Sequence, residues 1–230
     1  MVNTPADRSP QRARQDYLKV IYQLGQRSPV RAAQVARHLR VTRASVSKFR
    51  RSLERDGLIR PAKGRTDAFA LTSNGLAEAL SIVRRHRLVE TWLHDVLGVP
   101  LAKLHVEAER IEHALSDEVA DLLARHLGHP SADPHGHRIP YGRGRTGDGS
   151  DLPLARARVG GRIAITSIED RDDRVVRQLE RRGMLPGTRA IVVENSARCV
   201  KLRVRDRIRR LTPMQAAGIR CAAVPRRLRA

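Results

Sequence analysis

Apolar residues recur at helical spacing in the first part of the chain. They predict one helix over residues 12–25, where Gly25 ends the pattern, and a second over 31–40. A tight turn at Val41 leads to a third helix over 43–56, for which Thr42 is a suitable N-cap. Two short helices joined by a tight turn predict a helix-turn-helix.

The next apolar runs alternate with polar residues and predict a β-hairpin over 57–71 with a basic tip at Lys63 and Arg65. Helix, turn, basic helix and basic hairpin in this order predict a winged-helix domain over residues 1–75. We expect Lys63 and Arg65 to contact DNA phosphates and Arg43, Ala44, Ser45 and Lys48 to lie nearest the bases. The full candidate set adds neighbours in and around the third helix: Thr42, Ser47, Arg50 and Arg51. A merely solvated basic helix face is the alternative.

The charge of the chain supports a polyanionic partner. The formal net charge is +21, and only 3% of residues are aromatic, which disfavours recognition of single strands by stacking. Double-stranded DNA is therefore the expected partner. No apolar run approaches the ~18 residues of a membrane span, and no signal segment is visible, so we expect a cytoplasmic protein without a membrane partner.

The middle of the chain is acidic and rich in histidine. A long helix is predicted over 76–97, where His86 and Glu90 share one face because they are four residues apart. A second helix, over 102–115, places imidazoles and carboxylates where an apolar stripe is usual: His105, Glu109, Glu112 and His113. A row of carboxylates is costly to bury without a cation, so this pattern favours a divalent metal site over an ion-paired surface.

The last part of the chain is predicted to form a separate small β domain. Residues 141–153 have the composition of a linker, and short alternating runs with one helix over 174–182 follow. Residues 154–230 are expected to form a barrel of five short strands. The predicted fold class is therefore mainly α with a small β part.

Several motifs resemble the metal-dependent repressors of the diphtheria-toxin-repressor and manganese-transport-regulator family. They are DYLKVIYQL, RRHRLVE, LHVEAERIEHALSDEVAD and HPSADPHGHRIP. The segment LERRGMLPG resembles a signature of the SH3-like domains found in this family and in ferrous-iron transport accessory proteins. The resemblance implies a winged helix over 1–75, a helical dimerisation domain over 76–140 and, after the linker, an SH3-like β-barrel over 154–230.

The resemblance also implies two metal sites per subunit. The ligands carried over for the first site are Asp16, His86, Glu109, Glu112 and His113. Those for the second site are Glu90, His105, Asp133, His135 and Asp172, with Glu169, Asp170 and Asp173 as acidic neighbours of the last. The chain departs from the family pattern at Lys19, where manganese-type members can carry a second carboxylate, and a lysine there would oppose a second ion.

An all-oxygen and nitrogen ligand set indicates a hard, six-coordinate ion, so Mn²⁺ is the first choice and Fe²⁺ the alternative. The expected function is a homodimeric, metal-dependent repressor that binds a pseudo-palindromic operator and controls genes of metal uptake or homeostasis. One alternative is a metal-independent winged-helix regulator. A metallohydrolase is the other, although no nucleophile arrangement and no HExxH motif are visible, so the chain is not expected to be an enzyme.

Overall fold

The computed structural model of the protein describes residues 9–26, 28–62, 65–141 and 151–225, with residues 65 and 66 described by their backbone alone. The described chain forms two compact units. The first contains the residues up to His86 together with 111–121 and 140–141. The second contains 87–110, 122–139 and 151–225.

The first unit begins with the expected winged helix. Its three-stranded antiparallel sheet has the order β1-β3-β2, and β2 and β3 form the wing hairpin. A longer helix, α4, follows the wing directly. The elements are α1 (Pro10–Leu24), β1 (Val30–Arg31), α2 (Ala32–Leu39), α3 (Arg43–Arg55), β2 (Ile59–Ala62), β3 (Arg65–Leu71) and α4 (Ser73–Asp95), of which residues 73–86 belong to this unit.

A continuous apolar core fixes α1 against the helix-turn-helix. Leu18 and Ile21 of α1 are buried in the same cluster as Leu53 of α3. The rings of Tyr17 and Phe49 stack with their centroids 4.3 Å apart. Any change in the position of α1 is therefore transmitted to α3 through packed side chains.

The junction between the wing and α4 is tightly packed. A Cβ atom added to Gly75 would lie 1.9 Å from the carbonyl oxygen of Leu58, so only glycine fits there. The N–H of Gly75 also donates to Oγ1 of Thr72 at 3.1 Å. This packing fixes the start of the helix that carries His86.

Two further helices follow α4, and one of them was not expected. Helix α5 (Leu101–Ile111) ends four residues earlier than predicted, so Glu112 and His113 lie in the turn after it. Helix α6 (Asp117–His126) had no sequence prediction. The turn is fixed on α4 because Arg85 donates to the carbonyl oxygen of Leu115 at 2.7 Å. None of the helices in the described ranges combines the length and apolar character needed to cross a membrane.

The second unit contains the predicted small β domain. All strand pairs are antiparallel in the order β4-β9-β5-β6-β7-β8, which is one strand more than expected. The elements are β4 (Leu152–Pro153), a 3-10 helix (Leu154–Arg156), β5 (Arg162–Ile168), α7 (Asp173–Arg181), β6 (Arg189–Asn195), β7 (Val200–Val204), β8 (Arg207–Leu211), α8 (Pro213–Ala217) and β9 (Ile219–Ala223). Cys199 and Cys221 are free thiols buried in this domain.

Candidate metal centres and DNA-binding surface

The expected recognition residues lie on the surface of α3 and at its N-terminus. Thr42 has a structural role as well, since its Oγ1 accepts a hydrogen bond from the N–H of Ser45 at 3.1 Å and caps α3. Small hydroxyls and cations at the start of such a helix allow a close approach to base edges. The exposed members of the predicted set are Thr42, Arg43, Ala44, Ser45, Ser47, Lys48 and Arg51.

Arg50 differs from the other basic residues of α3 because it is half-buried. Its Nε donates to Glu54 Oε1 at 2.7 Å, and its guanidinium lies 5.3 Å from the centroid of the Phe69 ring. These contacts hold Arg50 on the protein and suit packing better than base reading. Lys63 and the side chain of Arg65 lie outside the described residues, so their phosphate contacts stay predictions.

The first unit brings four predicted ligands together with Lys19 in a buried group, which we call the first cluster. Its members are Asp16, His86, Glu112, His113 and Lys19. Helix α1 supplies Asp16 and Lys19, α4 supplies His86, and the turn after α5 supplies Glu112 and His113. Asp16 is 6% exposed and Glu112 is fully buried. The cluster therefore links the helix next to the helix-turn-helix with α4.

Hydrogen bonds and ion pairs order the first cluster. His113 Nε2 lies 3.0 Å from Asp16 Oδ1 and 3.4 Å from Glu112 Oε1. His86 Nδ1 contacts Glu112 Oε2 directly. Gln15 Oε1 lies 2.8 Å from His113 Nδ1, and this contact to the second ring nitrogen orients the imidazole.

Lys19 contacts two of the predicted ligands of the first site, Glu112 and His86. Its Nζ lies 2.9 Å from both carboxylate oxygens of Glu112 and 3.1 Å from His86 Nδ1. Burial raises the pKa of Glu112, but the charge of Lys19 and the contact with His86 outweigh burial and lower it to about 2. The donors of this cluster suit a divalent ion by type, whereas the ammonium of Lys19 competes with such an ion for Glu112.

Glu109 belongs to the second unit, where its Oε1 lies 3.9 Å from His105 Nε2. Its side chain is 35% exposed. Its role as a ligand of the first site stays a prediction.

The second unit contains a larger group of carboxylates and imidazoles, which we call the second cluster. His135 Nδ1 lies 3.5 Å from Glu90 Oε1, and His105 Nδ1 lies 3.7 Å from Asp170 Oδ2. His137 Nδ1 lies 3.4 Å from Asp133 Oδ2 and 3.7 Å from Asp170 Oδ2. The members are Glu90, His105, Asp133, His135, His137 and Asp170.

A tight turn on β5 positions three members of the second cluster. Asp133 Oδ1 accepts a hydrogen bond from the N–H of His137 at 3.0 Å, and the carbonyl oxygen of His135 accepts one from Ile168 at 2.9 Å. A Cβ atom on Gly136 would lie 2.0 Å from the carbonyl oxygen of Thr166, and Gly136 has a φ of +88°. Only glycine allows the turn to lie this close to the strand.

The second cluster fits a divalent metal ion. His135 Nε2 lies 3.2 Å from the carbonyl oxygen of Leu101, which indicates that the proton is on Nε2 and leaves the lone pair on Nδ1. Within the described ranges, His135 Nδ1 and Asp133 Oδ2 are buried and make no hydrogen bond. Ligand atoms of Glu90, Asp133 and His135 lie within 4.8 Å of one another. Buried carboxylates in such a group need a cation for charge balance.

The charges in the second cluster depend on one another. Burial lowers the pKa of His137, but Asp133 and Asp170 outweigh this effect and raise it to about 9. Burial raises the pKa of Asp170, but the neighbouring His105 and His137 lower it to about 2. Asp170 is therefore ionised at neutral pH, and the positive charge of His137 balances part of the negative charge of the group.

The acidic residue next to these histidines is Asp170 rather than the expected Asp172. Asp172 is the N-cap of α7, and its Oδ1 accepts hydrogen bonds from the N–H groups of Arg174 and Val175. That role directs its carboxylate to the helix end. Sequence reasoning also left out His137, although its position two residues after His135 was a usable signal.

A winged helix combined with buried clusters of carboxylates and imidazoles defines a class of protein, the metal-responsive DNA-binding regulators. Family profiles match the chain in three segments. They are the N-terminal DNA-binding domain of iron-dependent repressors at residues 11–66, the metal-binding and dimerisation domain of these repressors at 72–141, and the FeoA domain at 152–222.

Individual relatives agree with these profiles. The iron-dependent repressor IdeR of Mycobacterium leprae is 35% identical over 196 residues, which is 78% of this chain and 83% of IdeR. The diphtheria toxin repressor of Corynebacterium diphtheriae is 38% identical over 126 residues, 54% of each chain. A manganese-dependent transcriptional repressor solved in complex with manganese superposes with a TM-score of 0.82 at 31% identity, covering 91% of this chain and 99% of that one. The chain belongs to the family of iron- and manganese-dependent transcriptional repressors.

Proposed function

We propose that the chain is a homodimeric repressor that binds double-stranded DNA when a divalent metal ion is bound, with Mn²⁺ preferred and Fe²⁺ as the alternative. The observation that carries the proposal is the second cluster, where three carboxylates and three imidazoles lie beside one another. Oxygen and nitrogen donors in this proportion suit hard or borderline ions. The target genes would be those of metal uptake or homeostasis, and the protein would act in the cytoplasm.

The fold supplies a route by which metal could control DNA binding. His86 and Glu90, which belong to the two clusters, are four residues apart on α4. The first cluster ties α4 to α1, and α1 packs into the core of the helix-turn-helix. A divalent ion at the second cluster would hold the carboxylates of that cluster together and so fix α4. Because the first cluster joins α4 to α1, α3 would then be held in the orientation that DNA requires. Such a coupling between metal binding and DNA binding is typically worth about 1–3 kcal/mol.

Exposed apolar residues support the proposed dimer. Val96, Leu97, Val106 and Leu122 are between 41% and 54% exposed. All four lie in the segment that matches the metal-binding and dimerisation profile. Apolar side chains of this size on a surface mark an interaction site when they form a patch. A dimer would present two copies of α3 to successive major grooves of a pseudo-palindromic operator.

The test is a fluorescence anisotropy titration of a labelled duplex that has been selected from a random pool in the presence of the protein and Mn²⁺. We expect the affinity for this duplex to fall at least about fivefold when a chelator replaces Mn²⁺. His135→Ala should lose the metal response while its secondary structure by circular dichroism is unchanged. His126→Ala, which alters an exposed histidine at the end of α6, is the matched control and should respond as the unmodified chain does.

The alternatives give different results in the same experiments. Equal affinity with Mn²⁺ and with chelator would indicate a metal-independent winged-helix regulator. Hydrolysis of a phosphoester such as p-nitrophenyl phosphate, lost in Glu112→Ala, would indicate a metallohydrolase.

A further inference from the structure

The first cluster already contains a cation in contact with its buried carboxylate. Lys19 is 4% exposed, and its Nζ contacts both oxygens of a fully buried carboxylate, Glu112, at 2.9 Å. The same Nζ lies 3.1 Å from His86 Nδ1. An ammonium that faces both oxygens of a carboxylate takes the place of a bidentate ion.

The two clusters differ in how closely a lysine or arginine approaches their carboxylates. In the first cluster, Lys19 Nζ lies 2.9 Å from both oxygens of Glu112. In the second, Arg87 Nε lies 3.7 Å from Asp133 Oδ2. A dication added beside Lys19 would meet direct repulsion from its ammonium.

We infer that Lys19 is the resident cation of the first cluster, so that α1 is fixed to α4 without metal and the regulatory divalent ion binds at the second cluster. The inference rests on the proposed function, which it deepens by naming the regulated site. Lys19 acts here as a specificity-determining residue, because its ammonium removes Glu112 from the ligands available to a metal.

Counting bound Mn²⁺ tests the inference directly. The full chain is stripped with chelator, exchanged into chelator-free buffer and titrated with MnCl₂, while the electron paramagnetic resonance signal of the unbound ion is recorded. We expect Glu112→Gln to leave the number of ions bound per subunit unchanged, and His135→Ala to weaken Mn²⁺ binding at least tenfold. Lys19→Met should gain one Mn²⁺ per subunit, and the double variant Lys19→Met/Glu112→Gln should lose that gain.

Control variants separate the effect of the positive charge at position 19 from the effect of side-chain shape. Lys19→Arg keeps the positive charge and should not gain an ion. Thermal unfolding supplies a second readout, because Lys19→Met in chelator should melt below the unmodified chain and Mn²⁺ should restore most of the difference.

Two results would overturn the inference. One is the loss of a bound ion in the single variant Glu112→Gln, which decides the question even if Lys19→Met does not fold. The other is a folded Lys19→Met that binds no more Mn²⁺ than the unmodified chain. If the binding counts are as expected but Mn²⁺ leaves DNA affinity unchanged, the cation assignment stands and the proposed function fails.

Discussion

Glu112 shows how a fully buried carboxylate can stay ionised. It has no exposed surface, and its neighbours Lys19 and His86 supply the positive charge and the hydrogen bond that water would otherwise supply. Removing one partner of such a buried pair typically costs about 3–5 kcal/mol, because the other charge is left without compensation. The pair therefore stabilises one arrangement of α1 against α4.

The ionisation of Glu112 should be visible in how the free energy of unfolding depends on pH. The pKa of Glu112 is about 2 in the folded chain, against an ordinary value of 4.5. A lowered pKa means that its contribution to the free energy of unfolding is present above pH 4.5 and is lost as the pH falls towards 2. Urea unfolding in chelator should show a smaller loss of stability between pH 6 and pH 3 for Glu112→Gln than for the unmodified chain. Parallel losses in the two proteins would contradict this role of Glu112.

At the residue scale, the sequence predicts which types of residue form the clusters. It does not predict which of several adjacent acidic residues joins a cluster. Asp16, His86, Glu112 and His113 lie together as the family resemblance implied, although their binding of metal stays a prediction. Asp172 was expected where Asp170 lies. Acidic residues crowd this stretch, and the start of α7 decides which of them becomes the N-cap and which faces the histidines. That choice depends on the folded backbone.

The turn that carries Asp133, His135 and His137 is the element on which the second cluster depends. Gly136→Ala would force a Cβ atom to within 2.0 Å of the Thr166 carbonyl oxygen and push the turn off β5. We expect Mn²⁺ affinity to fall by about 10–100-fold, as for other losses of ligand support. Gly128→Ala is the matched control, because Gly128 also has a positive φ, +71°, but has open space around it. Isothermal titration with Mn²⁺ measures both, and equal effects would contradict the account.

The exposed face of α3 should contribute to DNA affinity without contributing to stability. Lys48 is exposed on this helix. Lys48→Ala should weaken binding to the selected duplex by about 1–3 kcal/mol and relax its sequence preference, while the melting temperature stays the same. Lys103→Ala, which removes an exposed lysine of α5, is the control and should bind as before. Anisotropy titrations measure both variants, and unchanged affinity in Lys48→Ala would argue against the recognition helix.

Elements with a strong apolar period could be predicted, and those without one could not. Helices α1 and α3 lie within a few residues of their predicted ranges because their apolar faces are the buried faces. Helix α6 was missed because it buries only the small side chains Ala120 and Ala124, while Val119 and Leu122 are about half exposed. Strand β4 has two residues, and its partner β9 lies far along the chain, with Leu152 opposite Cys221. Such pairing leaves no local signal.

At the scale of the whole molecule, the proposed dimer can be tested through its apolar surface. Leu97 is 54% exposed. Leu97→Asp would place a charge in the expected interface and should raise the dimer dissociation constant by about tenfold or more in sedimentation velocity. DNA affinity should fall with it. Val159→Asp changes an apolar residue that is 61% exposed on the β domain and should leave the dimer intact. A Leu97→Asp variant that remains dimeric would place the interface elsewhere.

Reciprocal binding tests the central claim, which is that metal and DNA binding are coupled. If Mn²⁺ tightens DNA binding by a given factor, saturating DNA must tighten Mn²⁺ binding by the same factor, about 5–150-fold for typical coupling. The measurement is a Mn²⁺ titration of the full chain with and without the selected duplex. We expect the two factors to agree and to vanish together in His135→Ala. A Mn²⁺ affinity that is unaffected by the duplex would contradict the account.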